Sequence, residues 1–411
     1  MAVTLLYFLY YVILSALLLW YCSKHKLPIL WLWLLFAIKC LAGIAYGYIH
    51  LHSTYGIHTD TWKFYTESLP ATELLKQQPA HFFTYLFGNN YNTQTTYLST
   101  TGNYMHDLKH NILVALMSIC NVASGNNYYI NTLLYNAFTM IGCIAFYKYI
   151  IVYYTSLSKW LILGALCIPS FIFWSSGFHK EGILFTLISV ALYASHGIIY
   201  KRKYYIYACY FALSIGFIVI LRNYVLLFLM PAFTYWVYLQ YYPKYGHWLG
   251  FMVLHIALII CLFTLSNIPN SIAHSRKEFI LLGGATTNDT MVLQPTISSY
   301  AVYLPYAINN ALLKPSISQL SITYIPSAVE NVLLLCLIIF ALFHYKKVNT
   351  NYTSQLLLYF ALGTLLLLGY AVPITGAIIR YKAILLPYIV IAILPFIHVQ
   401  KIKSLNQNNF N

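Results

Sequence analysis

Apolar segments recur from one end of the 411-residue chain to the other, and they constrain its fold more than any other feature. A helix needs about 17 to 25 mostly apolar residues to cross a bilayer. Segments of that length are centred near residues 12, 38, 141, 167, 191, 212, 232, 258, 335, 363 and 390. Only 8% of residues are charged, and no polar stretch is suited to a water-soluble domain. We therefore predict one all-α, polytopic transmembrane domain over residues 1–411, with about eleven membrane-spanning helices.

Lysine and arginine residues between these segments predict how the chain is oriented. If the loop after the first segment is cytoplasmic, the inner side receives many basic residues and no acidic residue, as the positive-inside rule requires. These basic residues are Lys24, Lys26, Lys159, Lys201, Arg202, Lys203, Lys244, Lys346, Lys347, Lys401 and Lys403. We expect the N-terminus outside and the C-terminus in the cytoplasm.

The same topology predicts that all eight carboxylates lie outside or at the outer end of a span. They are Asp60, Glu67, Glu73, Asp107, Glu181, Glu278, Asp289 and Glu330. Four basic residues also gather at outer span ends, against the charge bias: Lys180, Arg222, Arg380 and Lys382. A basic residue deep in the bilayer costs about 2.5 to 3.5 kcal/mol. We interpret these four as a cationic site.

Two predicted outer loops are long, covering residues 50–129 and 267–324. Each holds apolar stretches suited to lying along the interface, residues 111–123 in the first loop and "KEFILLGG" and "AVYLPYAINNALLKP" in the second. Long loops in compact proteins are usually functional or disordered, and these contain too many aromatic residues for disorder. We expect them to cover an outward-facing cavity.

The stretch "FWSSGFHKEGILF" places His179, Lys180 and Glu181 together at one outer span end. Pro169 precedes the stretch and Gly182 directly follows Glu181; both permit a broken helix, so the three side chains could be recessed in the outward cavity. The simpler interpretation is a Lys180 that snorkels to the interface and pairs with Glu181. The stretch alone leaves both interpretations open.

Two other stretches carry a resemblance to a known family. "YGIHTDTWKFYTES" places Asp60 in the first outer loop, and "GAIIRYKAILLPY" places Arg380, Tyr381 and Lys382 at the outer start of the last span. Together with the Lys180–Glu181 pair, this layout resembles the GT-C superfamily of membrane glycosyltransferases. "PSFIFWSSGFHKEG" and "RYKAILLPY" also look like segments of bacterial envelope proteins with this layout. The expected location is the bacterial cytoplasmic (inner) membrane.

The resemblance implies an acidic catalytic residue in the first outer loop and basic residues that bind the phosphate of a polyprenyl-phosphate-linked sugar. The chemistry fits the residues, because glycosyl transfer needs a base for the acceptor hydroxyl and cations for the leaving phosphate. We expect Asp60 to be the base. Arg380, Lys180 and Arg222 are the expected phosphate ligands, with His179, Tyr381 and Lys382 beside them, and Trp62 could stack on a sugar.

One departure from the family gives the base a second candidate. In the family the acid usually follows the first span, often as an Asp-Glu pair, whereas here one more span precedes Asp60 and Thr61 follows it. Asp107 in "NYMHDLKH" is the alternative. Glu181 is expected to orient Lys180 rather than to act as a base, because an adjacent cation lowers the proton affinity of a carboxylate.

Histidines near Asp60 raise the question of a metal. His50, His52 and His58 precede it, and His106 and His110 follow later in the loop; imidazole and carboxylate groups are plausible ligands of a divalent ion. No HExxH or CxxC spacing supports such a site, and we predict no cofactor beyond this possibility. The expected partners are a polyprenyl-phosphate-linked sugar, a glycan or lipid acceptor and membrane lipids, with no nucleic acid.

Two other functions fit the same layout. An O-antigen or exopolysaccharide polymerase would also combine many spans, long outer loops and outward basic residues. A lipid-oligosaccharide flippase or transporter would perform no covalent chemistry, and such folds usually show internal repeats and charges near the bilayer midplane. The sequence shows no convincing repeat, and we interpret Lys39 and Lys148 as residues that snorkel to the interface.

The topology makes a direct prediction. Single cysteines placed at Asn92 and Asn288 should react from outside the cell with a membrane-impermeant thiol reagent, whereas cysteines at Asn349 and Asn406 should be shielded. The natural chain, with its own eight cysteines, provides the background. Labelling at Asn349 and Asn406, with protection at Asn92 and Asn288, would show that the orientation is the reverse of the one predicted.

Overall fold

Helices make up nearly all of the chain that the structure covers. The computed structural model describes residues 2–87, 104–154, 157, 159–200, 203–242, 247–281, 287, 291–315, 324–343 and 352–397. No strand occurs in these ranges, where Thr287 and Ile374 form an isolated antiparallel bridge.

Eighteen α-helices follow one another over the described residues. They are α1 (Ala2–Lys24), α2 (Ile29–Leu51), α3 (Asp60–Gln77), α4 (Pro79–Phe87), α5 (Tyr104–Ser124), α6 (Tyr128–Tyr153), α7 (Lys159–Leu166), α8 (Pro169–Ser176), α9 (Lys180–Tyr200), α10 (Tyr204–Arg222), α11 (Leu226–Tyr241), α12 (His247–Leu265), α13 (Ile268–Leu281), α14 (Ile297–Ile308), α15 (Ile325–Phe343), α16 (Tyr352–Ala371), α17 (Thr375–Ala383) and α18 (Leu386–Ile397). Short 3₁₀ turns cover Gly56–His58 and Asn223–Val225, and a π-helical turn covers Asn309–Leu313.

By length and apolar character, seven helical segments among the described residues could each cross a membrane. Three further helix pairs pass the same test together but are bent by more than 40° at a short break, which raises the number to ten. The prediction of an all-α, polytopic membrane protein is confirmed at this level. The segment Tyr204–Tyr241 covers the two predicted spans centred near 212 and 232. As a straight helix its 38 residues would be about 57 Å long, nearly twice the hydrocarbon core.

Internal contacts divide the chain into two compact units. The first consists of residues 1–149 and 171–223, and the second of residues 150–170 and 224–411. The division into units does not test whether the chain is a single transmembrane domain, and that expectation remains a prediction.

In the first unit, α3, α4 and α5 of the predicted outer loop form a packed core with the long apolar helices. The indole N–H of Trp62 donates to the carbonyl of Gly47 in α2 at 2.9 Å, and its ring stacks on Tyr128 of α6 with centroids 4.1 Å apart. Helix α5 begins earlier than the expected 111–123 stretch, at Tyr104. The loop helices are therefore anchored to two of the candidate spans.

A buried polar network reinforces this anchoring. The side-chain amide of Asn121 donates to the hydroxyls of Ser68 at 2.8 Å and Thr72 at 3.0 Å, which joins α5 to α3. Its carbonyl oxygen accepts from Asn131 of α6 at 2.6 Å, and Asn131 also accepts from Ser124 at 2.6 Å. Because buried polar groups are stable only when they are paired, this network fixes the register of three helices.

The second unit is built around α16, which packs against α11, α14 and α18. The fully buried Arg276 of α13 ties the second predicted outer loop to it. Its guanidinium donates to the carbonyl oxygens of Met291 at 2.9 Å and Tyr370 at 3.1 Å, and it lies over the ring of Tyr303 at 4.4 Å.

Several predictions fall outside the described residues. They concern the loop residues 88–103, the acidic residue Asp289, the basic residues Lys201, Arg202, Lys244, Lys346, Lys347, Lys401 and Lys403, and the labelling sites Asn92, Asn288, Asn349 and Asn406.

The network around Asn121 makes a stability prediction. Asn121→Ala should lower the free energy of unfolding by about 1 to 3 kcal/mol, because it removes one hydrogen bond from each of the buried side chains of Ser68, Thr72 and Asn131. Thermal unfolding in detergent measures the effect. Val122→Ala, at a half-exposed position on the same helix, serves as the control and should change the midpoint far less. Equal midpoints for the two variants would show that the network contributes little.

Candidate functional site

Two helices begin at the candidate site, and local sequence explains why. Thr59 is extended and precedes α3, so Asp60 is the first residue of that helix. Helix α8 ends at Ser176, and α9 begins at Lys180 after a three-residue break. At Gly177 within the break, a Cβ atom would overlap the ring of Tyr46, so no larger residue fits there.

Polar contacts link Asp60, His179, Glu181 and Arg222 in a row. Nε2 of His179 lies 3.0 Å from Oδ2 of Asp60, and Nδ1 of the same ring bonds the carboxylate of Glu181. Glu181 also accepts from Nη2 of Arg222, the last residue of α10, at 3.4 Å. The row brings the starts of α3 and α9 and the end of α10 to one place.

The row alternates acidic and basic groups. A carboxyl group faces each ring nitrogen of His179, that of Asp60 at Nε2 and that of Glu181 at Nδ1. Arg222 adds a fixed positive charge beside Glu181.

Burial distinguishes the two ends of the row. The side chains of His179 and Glu181 are 1% and 2% exposed, and that of Arg222 is 13% exposed, whereas that of Asp60 is 54% exposed. Buried charges need close partners, and the row supplies them. Asp60 is therefore the accessible member of the row. His179 contacts it from the buried side, and Glu181 contacts His179.

A pocket of about 220 Å³ opens beside Asp60. Its other lining residues are Lys63, Phe64, Lys109, His110 and Lys180. Three ammonium groups thus share the pocket with one carboxylate, and the Nζ atom of Lys180 lies 5.9 Å from the centre of the Phe64 ring. The arrangement suits an anion held next to a carboxylate.

The sequence analysis does not identify two of the lining residues, Lys63 and Lys109, and it names His110 only as a possible metal ligand. Lys63 follows Asp60 by one helical turn, and Glu67 lies one turn further, 3.8 Å from Lys63 and bonded to His110. The spacing of Asp60, Lys63 and Glu67 along one face of a helix is the signal that could have found Lys63. Lys109 and His110 can be recognised as pocket residues only once α5 is packed on α3.

Other predicted residues of the first unit have different surroundings. Trp62 is buried, and one face of its ring stacks on Tyr128, which leaves that face unavailable to a sugar. Asp107 is buried in the first turn of α5. His179 does not line the pocket, and Arg222 contacts Glu181.

Arg380, Tyr381 and Lys382 belong to the second unit and lie in α17. The guanidinium of Arg380 donates to the hydroxyl of Tyr381 at 3.1 Å. Lys382 is 2% exposed, and its amine donates to the carbonyl oxygen of Lys314 at 3.0 Å and to Oδ1 of Asn331 at 2.6 Å. Oxygen atoms of the second unit thus hold its ammonium group.

The histidines near Asp60 whose side chains are described form no metal-binding group with one another. His50 and His52 each bond a carbonyl oxygen of their own helix, from Tyr46 and Tyr48, and His110 bonds Glu67. The side chain of His106 lies outside the described part. Among the described residues, no group of three or more His, Cys, Asp or Glu side chains is arranged to hold a metal ion.

Comparison with known proteins finds no match to this chain among protein-family models, curated proteins or solved structures.

The contact between Arg222 and Glu181 makes a prediction that does not depend on function. Arg222→Met should destabilise the protein by about 3 kcal/mol, the lower end for a broken buried pair, because Glu181 keeps a buried charge without its guanidinium. The double variant Arg222→Met/Glu181→Gln should recover a large part of that loss, since the charge is also removed. A double-mutant cycle of thermal midpoints in detergent measures this coupling. Strictly additive single effects would mean that the two side chains do not interact.

Proposed function

We propose that the protein is an integral membrane glycosyltransferase of the GT-C type, which moves a sugar from a polyprenyl-phosphate-linked donor to an envelope glycan or lipid acceptor. The proposal places it in the bacterial cytoplasmic membrane with about eleven spans, the N-terminus outside and the C-terminus inside. The two long loops, residues 50–129 and 267–324, are then extracytoplasmic, and the site at Asp60 faces outward.

One observation carries the proposal: a half-exposed carboxylate stands at a pocket whose lining includes three lysines. Transfer from a lipid phosphate needs a proton acceptor and a phosphate-binding group within a few ångströms of each other. Lysine binds phosphate as a point charge on a flexible side chain, so several lysines can contact the phosphate oxygens without a fixed geometry. Asp60 supplies the first requirement, and Lys63, Lys109 and Lys180 supply the second.

In the proposed reaction, the oxygen of the acceptor hydroxyl attacks the anomeric carbon of the donor sugar, and its proton passes to the carboxylate of Asp60. The bond between that carbon and the phosphate oxygen breaks, and the electron pair leaves with the phosphate. The phosphate changes from a diester with one negative charge to a monoester with about −1.5 to −2. Lysines fixed around it stabilise the charge that develops in the transition state.

The buried residues act by position in this scheme. His179 holds the oxygen of Asp60 that faces it, and Glu181 and Arg222 hold His179. A fixed carboxylate reaches the acceptor hydroxyl without first searching rotamers. This scheme moves Arg222 and His179 from phosphate binding to positioning. Arg380 and Tyr381 remain proposed as further groups for substrate binding, and Lys382 beside them is proposed to hold α17 in place through its bonds to Lys314 and Asn331.

Transport is the second candidate, because fully buried lysines occur inside candidate spans, as Lys39 does in α2. Intramembrane charges often mark a path for ions or substrates. Lys39, however, donates to three oxygen atoms, and Lys382 to two, which accounts for both charges structurally. The enzyme is the better supported of the two, since only it uses the carboxylate beside the lysines.

Substitutions of the proposed base and of a proposed phosphate ligand should affect different steps, transfer in the first case and donor binding in the second. Asp60→Asn keeps the shape of the side chain but removes the proton acceptor, so transfer should slow by about 100- to 10,000-fold while donor binding stays within about twofold. Lys109→Gln removes a charged contact to the phosphate, so donor affinity should fall by about 10- to 100-fold. Transfer of a radiolabelled sugar from a polyprenyl-phosphate donor in membranes measures the first effect, and a separate donor-binding assay measures the second.

Lys76→Gln is the matched control, because Lys76 lies on α3, pairs with Glu73 and does not line the pocket. It should leave both transfer and donor binding near the wild-type values. Full activity of Asp60→Asn together with loss of activity in Asp107→Asn would move the base to Asp107. If neither variant lost activity, the glycosyltransferase proposal would fail in favour of transport.

A further inference from the structure

Lys39 is a charged residue in the middle of an apolar candidate span, and its position differs from the one expected. A snorkelling lysine keeps its ammonium group in water. Lys39 is instead 0% exposed, so the interpretation as a snorkelling residue is wrong. Its Nζ atom donates to the carbonyl oxygen and hydroxyl of Ser175 at 3.1 and 2.7 Å, and to the hydroxyl of Ser176 at 3.2 Å.

These contacts lie at the carboxyl end of α8, directly before the break that leads to His179. The last carbonyl groups of a helix have no partner within the helix, and their partial negative charge attracts a cation. Burial in a membrane protein makes unpaired carbonyl groups costly. Lys39 therefore satisfies one of these groups and places all three of its donors on oxygen atoms.

Neighbouring carbonyl groups of the break are held in the same way from α6. The side-chain amide of Asn136 donates to the carbonyl oxygen of Ser176 at 3.0 Å. The hydroxyl of Tyr135 donates to the backbone carbonyl oxygen of His179 at 2.5 Å. Side chains of two candidate spans, α2 and α6, thus fix the backbone that connects α8 to α9. That connection carries His179 and leads into Glu181.

We propose that Lys39 is a positioning residue for the candidate site: by binding the end of α8, it sets where the His179 imidazole stands between Asp60 and Glu181. The catalytic part of this inference rests on the proposed function, but the geometric part does not. Without the ammonium group the end of α8 loses three hydrogen bonds, and the break can relax. A displacement of about 1 Å near reacting groups can slow a reaction by about 100-fold.

The geometric part can be tested by nuclear magnetic resonance on the full chain in detergent, labelled with nitrogen-15 in its histidines. The signals of His179 are assigned by their loss in His179→Gln. Lys39→Met should shift both ring-nitrogen signals of His179, because its bonds to the two carboxylates change. Lys148→Met is the matched control: it removes another lysine from a candidate span of the same unit, one that donates to Tyr21 at 2.7 Å, and should leave the His179 signals in place.

The catalytic part is tested by transfer kinetics with the polyprenyl-phosphate donor. Lys39→Met should lower kcat by about 10- to 100-fold while KM for the donor stays within about twofold, because the pocket lysines are unchanged. Lys148→Met should retain near wild-type kcat. Absence of transfer in the wild-type protein would refute the proposed function, and the His179 signals would then decide the positioning role alone.

Unchanged His179 signals in a folded Lys39→Met protein would overturn the inference. If Lys39→Met does not fold, Ser175→Ala replaces it, since that variant removes one hydroxyl acceptor of the ammonium group and introduces no charge. A smaller shift of the His179 signals is then expected. His179 signals identical to those of the wild type in Ser175→Ala would equally overturn the inference.

Discussion

The imidazole of His179, held between the carboxylates of Asp60 and Glu181, is the interaction on which the rest of the site depends. It joins residues 119 positions apart in the chain and brings together the first turns of α3 and α9. Because His179 and Glu181 are almost completely buried, each polar group needs a close partner; they partner one another, and Arg222 places its guanidinium beside Glu181. The same requirement explains why the one exposed member of the row, Asp60, occupies a defined place at the pocket.

The supporting structure serves this row at several levels. His179 is the last residue of the break between α8 and α9, directly before Lys180, the first residue of α9. Helix α3 is fixed to α5 and α6 by the Asn121 network, so that Asp60 and Lys63 of α3 line the same pocket as Lys109 of α5. The proposed base and the lysines proposed to bind phosphate thereby lie on helices instead of on a free loop, which is the arrangement that precise chemistry needs.

Much of this could be predicted from the sequence, for identifiable reasons. Long apolar segments predicted an all-α membrane protein, since segment length and composition alone decide that class. The number of spans was harder, because breaks such as the one in residues 159–176 and the long segment Tyr204–Tyr241 divide or merge apolar runs. His179, Lys180 and Glu181 were conspicuous as charges in an apolar context, and Asp60 and Arg222 were named with them.

The remaining parts of the site depend on packing that the sequence does not display. Lys63 and Lys109 look like ordinary charges of a polar loop until α3 and α5 are placed side by side. Lys39 looked like a snorkelling residue because its oxygen partners, Ser175 and Ser176, are 136 and 137 residues away. Arg380 and Lys382 stood out by charge, yet the amine of Lys382 is bound by oxygen atoms within the second unit.

The central claim is that the pocket beside Asp60 holds the phosphate of a lipid-linked sugar. An experimental structure of the wild-type protein with a non-transferable phosphonate analogue of such a donor tests it most directly. The account predicts phosphonate oxygens within about 4 Å of the amines of Lys109 and Lys180, at the distance of a direct ion pair, with the anomeric carbon facing Asp60. A phosphonate bound elsewhere, with the pocket at Asp60 unoccupied, would contradict it.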